Sequence, residues 1–105
     1  MKSLLVAALL GGVFLAMDAQ AAGDPAAGEG KIAACAACHG TDGKATAPIY
    51  PNLAGQPAAY LESSMKAYRD GLRGGGMSVL MTPQAQGLSD EDIADIAAYY
   101  ASLEP

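Results

Sequence analysis

Hydrophobic and polar positions follow a helical period near the C-terminus of the chain. Apolar residues recur at helical spacing from Ile93 to Leu103, which places them on one face of an α-helix. A Ser-Asp-Glu-Asp run that begins at Ser89 comes just before this face. It supplies a capping residue and acidic groups, both of which favour a helix N-terminus. The pattern predicts a helix from Ser89 to the C-terminus.

Two earlier segments also have the features of helices. The first opens with Asp24 and Pro25, a capping residue followed by proline at the first helical position, and continues to about Cys38. The second begins near Pro57 and ends near Gly71. Its apolar positions fall three or four residues apart and form one stripe: Leu61, Met65, Tyr68 and Leu72.

The rest of the chain lacks regular periodicity. Residues 40–56 contain two prolines, and residues 74–88 begin with three glycines. No alternating pattern of useful strand length occurs in either stretch. We therefore predict an all-α fold with three main helices and two long loops.

The N-terminal segment has the pattern of a secretory signal peptide. Lys2 precedes an apolar stretch over residues 4–17, and Ala19 and Ala21 are the small residues expected before a cleavage site. The stretch is shorter than the roughly 20 apolar residues that a membrane anchor needs; an uncleaved anchor is the alternative interpretation. We predict a signal peptide over residues 1–21, cleaved after about Ala21, and a mature protein in the periplasm without a membrane anchor.

Removing this segment from the chain of 105 residues leaves one domain over residues 22–105. The net charge of −5 is unchanged, because Lys2 and Asp18 leave together. An acidic chain argues against nucleic acids as partners, since they require basic patches. The domain has many alanines and few bulky apolar residues, so its side chains alone form only a thin core. A bound group that fills the interior is therefore expected.

The run Cys35-Ala36-Ala37-Cys38-His39 is the clearest chemical signal in the chain. On a helix, Cys35 and Cys38 are three positions apart and share a face, so both thiols can form thioethers with the vinyl groups on one edge of a single haem. His39 follows directly and is placed to ligate the iron. This spacing is typical of c-type haem attachment. We predict one covalently bound haem c, held by Cys35, Cys38 and His39.

Three other interpretations of the two cysteines are weaker. A thioredoxin-like redox pair is expected in a βαβ context, which the sequence lacks. A structural zinc site has four ligands, and the chain contains only two cysteines and one histidine. A plain disulfide would not require His39 at the next position.

Together with two further runs, the motif resembles class I cytochromes c of the short, single-haem bacterial periplasmic type. The runs are residues 50–56 (Tyr-Pro-Asn-Leu-Ala-Gly-Gln) and residues 88–100 (Leu-Ser-Asp-Glu-Asp-Ile-Ala-Asp-Ile-Ala-Ala-Tyr-Tyr). They are also similar to one half of the two-haem periplasmic cytochromes. The resemblance covers the chain from Asp24 to Leu103 and implies the class I cytochrome c fold, with helices and long loops wrapped around the haem.

The resemblance also implies that a methionine sulfur ligates the iron opposite His39. Met65 lies in the middle of the second predicted helix and on its apolar stripe, so it is expected to pack in the core. Met77 and Met81 both lie in the predicted loop after the glycine run. Met81 stands eight residues before Ser89, where the resembling proteins carry their ligand. We predict Met81 as the sixth ligand, with Met77 as the alternative.

Other contacts are implied by the same resemblance. The Pro51 carbonyl is expected to accept a hydrogen bond from the ligating histidine, as ligating histidines usually donate their second ring N–H. Leu53 is expected to pack on the haem. Gly28 is expected where the first and last helices cross, against Tyr99 or Tyr100.

Charged side chains leave two interpretations open. Arg69 and Arg73 either neutralise the haem propionates or lie on an exposed helix end. The acidic residues of the last predicted helix form either a docking contact or a solvated helix N-terminus: Asp90, Glu91, Asp92 and Asp95.

Ligation by histidine and methionine leaves no open position for a substrate at the iron. Such a site transfers one electron, so we predict a soluble periplasmic electron carrier and not an enzyme. Its partners are expected to be redox proteins that dock transiently, and the carrier itself to be a monomer. The alternative is a haem protein that binds a ligand or catalyses a reaction, as a sensor or a peroxidase does, with a labile sixth ligand.

Overall fold

The computed structural model describes residues 23–105, and this part of the chain is all-helical. The predicted signal peptide, residues 1–21, lies outside the described residues. No β-strand occurs in residues 23–105, which confirms the predicted all-α class, and every helix in that range is too short or too polar to span a bilayer. The helices are α1 (Pro25–Glu29), α2 (Ala33–His39), α3 (Ala58–Arg69), α4 (Ser78–Ala85) and α5 (Asp90–Ala101).

Helix α5 begins as predicted and lies at the centre of the fold. The Ser89 hydroxyl accepts a hydrogen bond from the Asp92 N–H at 3.0 Å, and the Asp92 carboxylate accepts one from the Ser89 N–H at 3.1 Å. This reciprocal capping box satisfies two backbone donors that the helix itself cannot. Both α1 and α3 pack against α5. The main core cluster comprises Ile32, Leu61, Ile96, Ala97, Tyr99 and Tyr100.

The N-terminal segment forms two helices where the sequence predicts one. The chain leaves helical geometry at Gly30, which caps α1, and resumes it at Ala33. Between them, the Lys31 ammonium contacts the carboxylates of Asp92 and Asp95 at 2.9 and 2.8 Å. The prediction of one continuous helix is wrong because glycine weakens a helix locally, and the ion pairs with α5 stabilise the bend.

The predicted loop over residues 74–88 contains α4, which is the second departure from the prediction. Its sequence has no apolar stripe, and Pro83 removes a backbone donor from its interior, so no local pattern marks it as a helix. α4 packs on α3, and its last residue, Ala85, is 1% exposed. Tertiary packing therefore stabilises this helix. The other predicted loop, residues 40–56, contains no helix and is confirmed.

Gly28 lies at the crossing of α1 and α5. A Cβ atom on Gly28 would collide with the backbone carbonyl of Asp95 and would lie 2.9 Å from the Tyr99 Cβ atom. The absence of a side chain thus permits this close approach of the two helices. The expected contact between Gly28 and Tyr99 is confirmed.

Two of the acidic residues in α5 are held within the fold. The Asp95 side chain is only 7% exposed, and it accepts a hydrogen bond from the Asp24 N–H at 2.8 Å besides its ion pair with Lys31. The Lys31 ammonium lowers the pKa of both Asp92 and Asp95. Asp95 therefore joins three segments of the chain and does not belong to a surface docking cluster.

Candidate functional site

The two cysteines of the motif lie on α2 with unpaired, half-buried thiols. Cys35 and Cys38 are three positions apart on this helix and so share a face. Burial raises the pKa of the Cys35 thiol. A thioredoxin-like pair is expected in a βαβ context, and no β-strand occurs in residues 23–105.

His39 ends α2 and is 7% exposed. Its Nδ1 atom lies 2.9 Å from the Pro51 carbonyl oxygen, and because a carbonyl only accepts, Nδ1 carries the proton and donates. Nε2 of the neutral ring then has a free electron pair, and no residue of the described range 23–105 hydrogen-bonds it. The expected contact between His39 and Pro51 is present, and it fixes the orientation of the imidazole with Nε2 free.

Two tyrosine hydroxyls of α5 hold the backbone directly after His39. Tyr100 donates to the Gly40 carbonyl at 3.1 Å, and Tyr99 donates to the Thr41 carbonyl at 2.7 Å. These bonds fix the turn that follows the histidine. The sequence predicts both tyrosines only as packing residues, although a buried tyrosine hydroxyl usually requires a hydrogen-bond partner.

The three methionines of the described residues 23–105 occupy distinct environments. Met65 packs against the core cluster, as predicted. Met77 precedes α4 and is 47% exposed, whereas Met81 lies within α4 and is half-buried. α4 packs on α3 and makes no extensive contact with α2 within residues 23–105. The structure therefore carries His39 and Met81 on two separate elements.

The two arginines near the end of α3 have different partners. Arg69 contacts the carboxylates of Asp70 and Asp90 at 3.0 and 2.7 Å. The guanidinium of Arg73 lies 4.7 Å from the centre of the Tyr68 ring and donates to Ser64 Oγ at 3.1 Å. Both side chains thus have protein partners: Arg73 folds back onto α3, whereas Arg69 reaches from α3 to the first residue of α5.

The donor set fits a covalently attached haem. Two unpaired thiols on one helix face and an adjacent histidine with a free Nε2 are the groups that such attachment needs. A zinc site lacks ligands, since no three His, Cys, Asp or Glu side chains converge on a possible metal position anywhere in residues 23–105.

Comparison with known proteins also indicates a covalently attached haem. The family model "Cytochrome c" matches residues 25–104. Cytochrome c-554(548) from Halomonas halodenitrificans is 76% identical over 83 residues, which are 79% of this chain and all of that protein. Cytochrome c4 from Pseudomonas aeruginosa is 52% identical over 103 residues, 97% of this chain and 49% of that protein.

A solved structure extends the comparison to the fold. The crystal structure of reduced cytochrome c4 from Pseudomonas stutzeri matches with a TM-score of 0.70 and 43% identity, over 79% of this chain and 47% of that one. The chain thus spans all of the Halomonas protein and about half of each cytochrome c4. It belongs to the cytochrome c family and is an electron-transfer protein with one covalently attached haem c.

Proposed function

We propose that this chain is a periplasmic electron carrier, not an enzyme, whose haem is attached through Cys35 and Cys38 and ligated by His39 and Met81. The observation that carries the proposal is the hydrogen bond from His39 Nδ1 to the Pro51 carbonyl, because it leaves Nε2 free to bind a metal. When bound, the haem supplies an iron that cycles between the ferrous and ferric states.

The residues of this chain hold the site rigid. The Pro51 carbonyl fixes the ring orientation and tautomer of His39, and the burial of His39 excludes water from most of its surface. Tyr99 and Tyr100 restrain the following turn. A ligand that stays in place in both oxidation states keeps the structural rearrangement on electron transfer small.

Met81 is the better candidate for the sixth ligand on the basis of burial. A thioether is apolar and polarisable, and Met81 is half-buried within α4, whereas nearly half of the Met77 surface is exposed. Methionine ligation raises the reduction potential. With His39 on the other side it also leaves no iron position for a substrate, which is why we propose a carrier and not an enzyme.

The compartment and partners follow from the N-terminal segment and the charge. Residues 1–21 have the signal-peptide pattern, and the family match begins after them, at residue 25. A net charge of −5 favours redox partners with neutral or basic docking patches and association rates that fall with added salt. We propose that the carrier is a soluble monomer that docks transiently.

The test compares Met81→Ala with the matched variant Met77→Ala. Bonding between a methionine sulfur and ferric iron gives a weak absorption band at about 700 nm. Met81→Ala is expected to abolish this band and to allow rapid carbon monoxide binding to the reduced protein, while Met77→Ala changes neither. Loss of the band only in Met77→Ala would reassign the ligand. A protein without the band before any substitution, and with rapid carbon monoxide binding, would instead be a ligand-binding haem protein.

A further inference from the structure

The segment over residues 70–88 carries Met77 and Met81, and its glycine run lies in open space. Gly75 and Gly76 have φ angles of 87° and 51°, and a Cβ atom at either would meet nothing within 4 Å. The space around these two glycines is open, although the Gly75 carbonyl accepts a hydrogen bond from the Ser78 N–H at 3.0 Å. The glycine run between Arg73 and Met77 therefore adds no packing of its own that would position α4.

The same segment is tied down where it returns to α5. Arg69, the last residue of α3, donates from Nη1 to the Leu88 carbonyl at 3.3 Å and to Asp90 Oδ1 at 2.7 Å. Its Nε also donates to Asp70 Oδ1 at 3.0 Å. Only 21% of the Arg69 side chain is exposed. The guanidinium of Arg69 thus links the first residue of the segment, Asp70, to its last residue, Leu88. It also links both to Asp90, the first residue of α5.

Arg73 provides an internal comparison. It is the same residue type near the same helix end, but it lies inside the segment, and its contacts to Tyr68 and Ser64 join only the first part of the segment to α3. It therefore does not connect the two ends of the segment. The bridge depends on the position of Arg69 and not on a general positive charge at the end of α3.

We propose that Arg69 is a positioning residue for Met81. By joining the ends of the segment, it closes the loop that bears α4 and lowers the population of states in which α4 has moved away from its native position. The inference rests on the proposed function, since it concerns the ligand assigned there to Met81. The planar guanidinium matters because a lysine ammonium at the same place cannot present donors in several fixed directions.

The test uses the ferric holoprotein and imidazole, which competes for the sixth position. Because imidazole binds only when the methionine has withdrawn, its apparent dissociation constant is the intrinsic constant divided by the open fraction. Arg69→Gln is expected to tighten imidazole binding about three- to tenfold, because it removes partly exposed ion pairs and one hydrogen bond to the backbone, and each such contact contributes modestly. Arg73→Gln is the matched control and should leave the binding unchanged.

Hydrogen exchange provides a second readout. In Arg69→Gln, the amides of Ser78–Ala85 should exchange faster by a similar factor, while those of α5 keep their rates. Arg69→Lys should restore only part of the difference. Equal imidazole affinity in Arg69→Gln, Arg73→Gln and the unchanged protein would overturn the proposal, as would equal increases in both variants.

A second pair of variants removes the partner and keeps the arginine. Asp90→Asn should tighten imidazole binding, whereas Glu91→Gln should not, because Glu91 is also in the first turn of α5 but forms no ion pair within residues 23–105. Equal imidazole affinity in Asp90→Asn and Glu91→Gln would refute the proposal that the contact between Arg69 and Asp90 positions α4. If Met81→Ala keeps the band at about 700 nm, the assigned ligand is wrong, and the exchange rates of α4 still decide whether Arg69 holds that helix.

Discussion

Two glycines of the N-terminal segment should respond to alanine in opposite ways. A Cβ atom on Gly28 would collide with the Asp95 carbonyl and would press on the Tyr99 Cβ atom at 2.9 Å. At Gly30, the nearest atom to a new Cβ is the Ala27 carbonyl oxygen at 3.6 Å, and the backbone has φ −79° and ψ −2°, close to the third residue of a type I turn, which most residue types adopt. Gly30→Ala is therefore a matched control for Gly28→Ala.

The magnitudes follow from the competing effects. Alanine favours a helix by up to about 1 kcal/mol over glycine, but overpacking costs about 1–3 kcal/mol, and a backbone carbonyl cannot rotate away. Because Gly28→Ala would force α1 and α5 apart, we expect overpacking to cost about 3 kcal/mol or more. After the gain in helix propensity is subtracted, the free energy of unfolding should fall by about 2 kcal/mol. Gly30→Ala should raise the free energy of unfolding by about 0.4–1 kcal/mol, because alanine restricts the conformations of the unfolded chain.

Urea denaturation of the holoproteins, followed by circular dichroism, measures both free energies of unfolding. The two variants should differ by about 3 kcal/mol, equivalent to a Tm difference above 10 °C or so in a domain of this size. The reasoning is refuted if Gly28→Ala is as stable as Gly30→Ala, since the close crossing of α1 and α5 would then tolerate a methyl group.

Three further outcomes are expected. Tyr100→Phe removes the hydroxyl that donates to the buried Gly40 carbonyl, so the free energy of unfolding in urea should fall by about 1 kcal/mol. Tyr99→Phe should lower it less, because its acceptor belongs to the exposed residue Thr41, which water can reach. A larger loss in Tyr99→Phe than in Tyr100→Phe would contradict this difference in burial. The ion pair with Lys31 lowers the pKa of Asp95, so its stabilisation is complete above the ordinary carboxyl pKa of about 4 and is lost as the pH falls below it. Asp95→Asn should flatten the acid side of a Tm–pH curve. An unaltered curve would show that the ion pair between Asp95 and Lys31 does not cause the acid dependence. The chain produced without haem should be largely unfolded by circular dichroism, because its own core is thin; a cooperative melt would show otherwise.

The sequence by itself determined the features that depend on neighbouring residues. The spacing of Cys35, Cys38 and His39 predicts the attachment chemistry without reference to the rest of the fold. The capping box at Ser89 and the apolar face that follows it place α5 to within a residue or two, because caps and helical periodicity are local properties. The all-α class followed from the same periodicity and from the lack of alternating segments.

Only the tertiary structure decided the features that join distant parts of the chain. The bend after α1 accompanies the ion pairs of Lys31 with α5, and α4 forms in a segment without local helix signals because α3 provides a surface for it. The contact of Arg69 with Asp90 spans 21 positions, and that of Tyr100 with Gly40 spans 60. Such pairings carry no periodicity along the chain, since their free energy depends on where the helices come to lie once the core has packed.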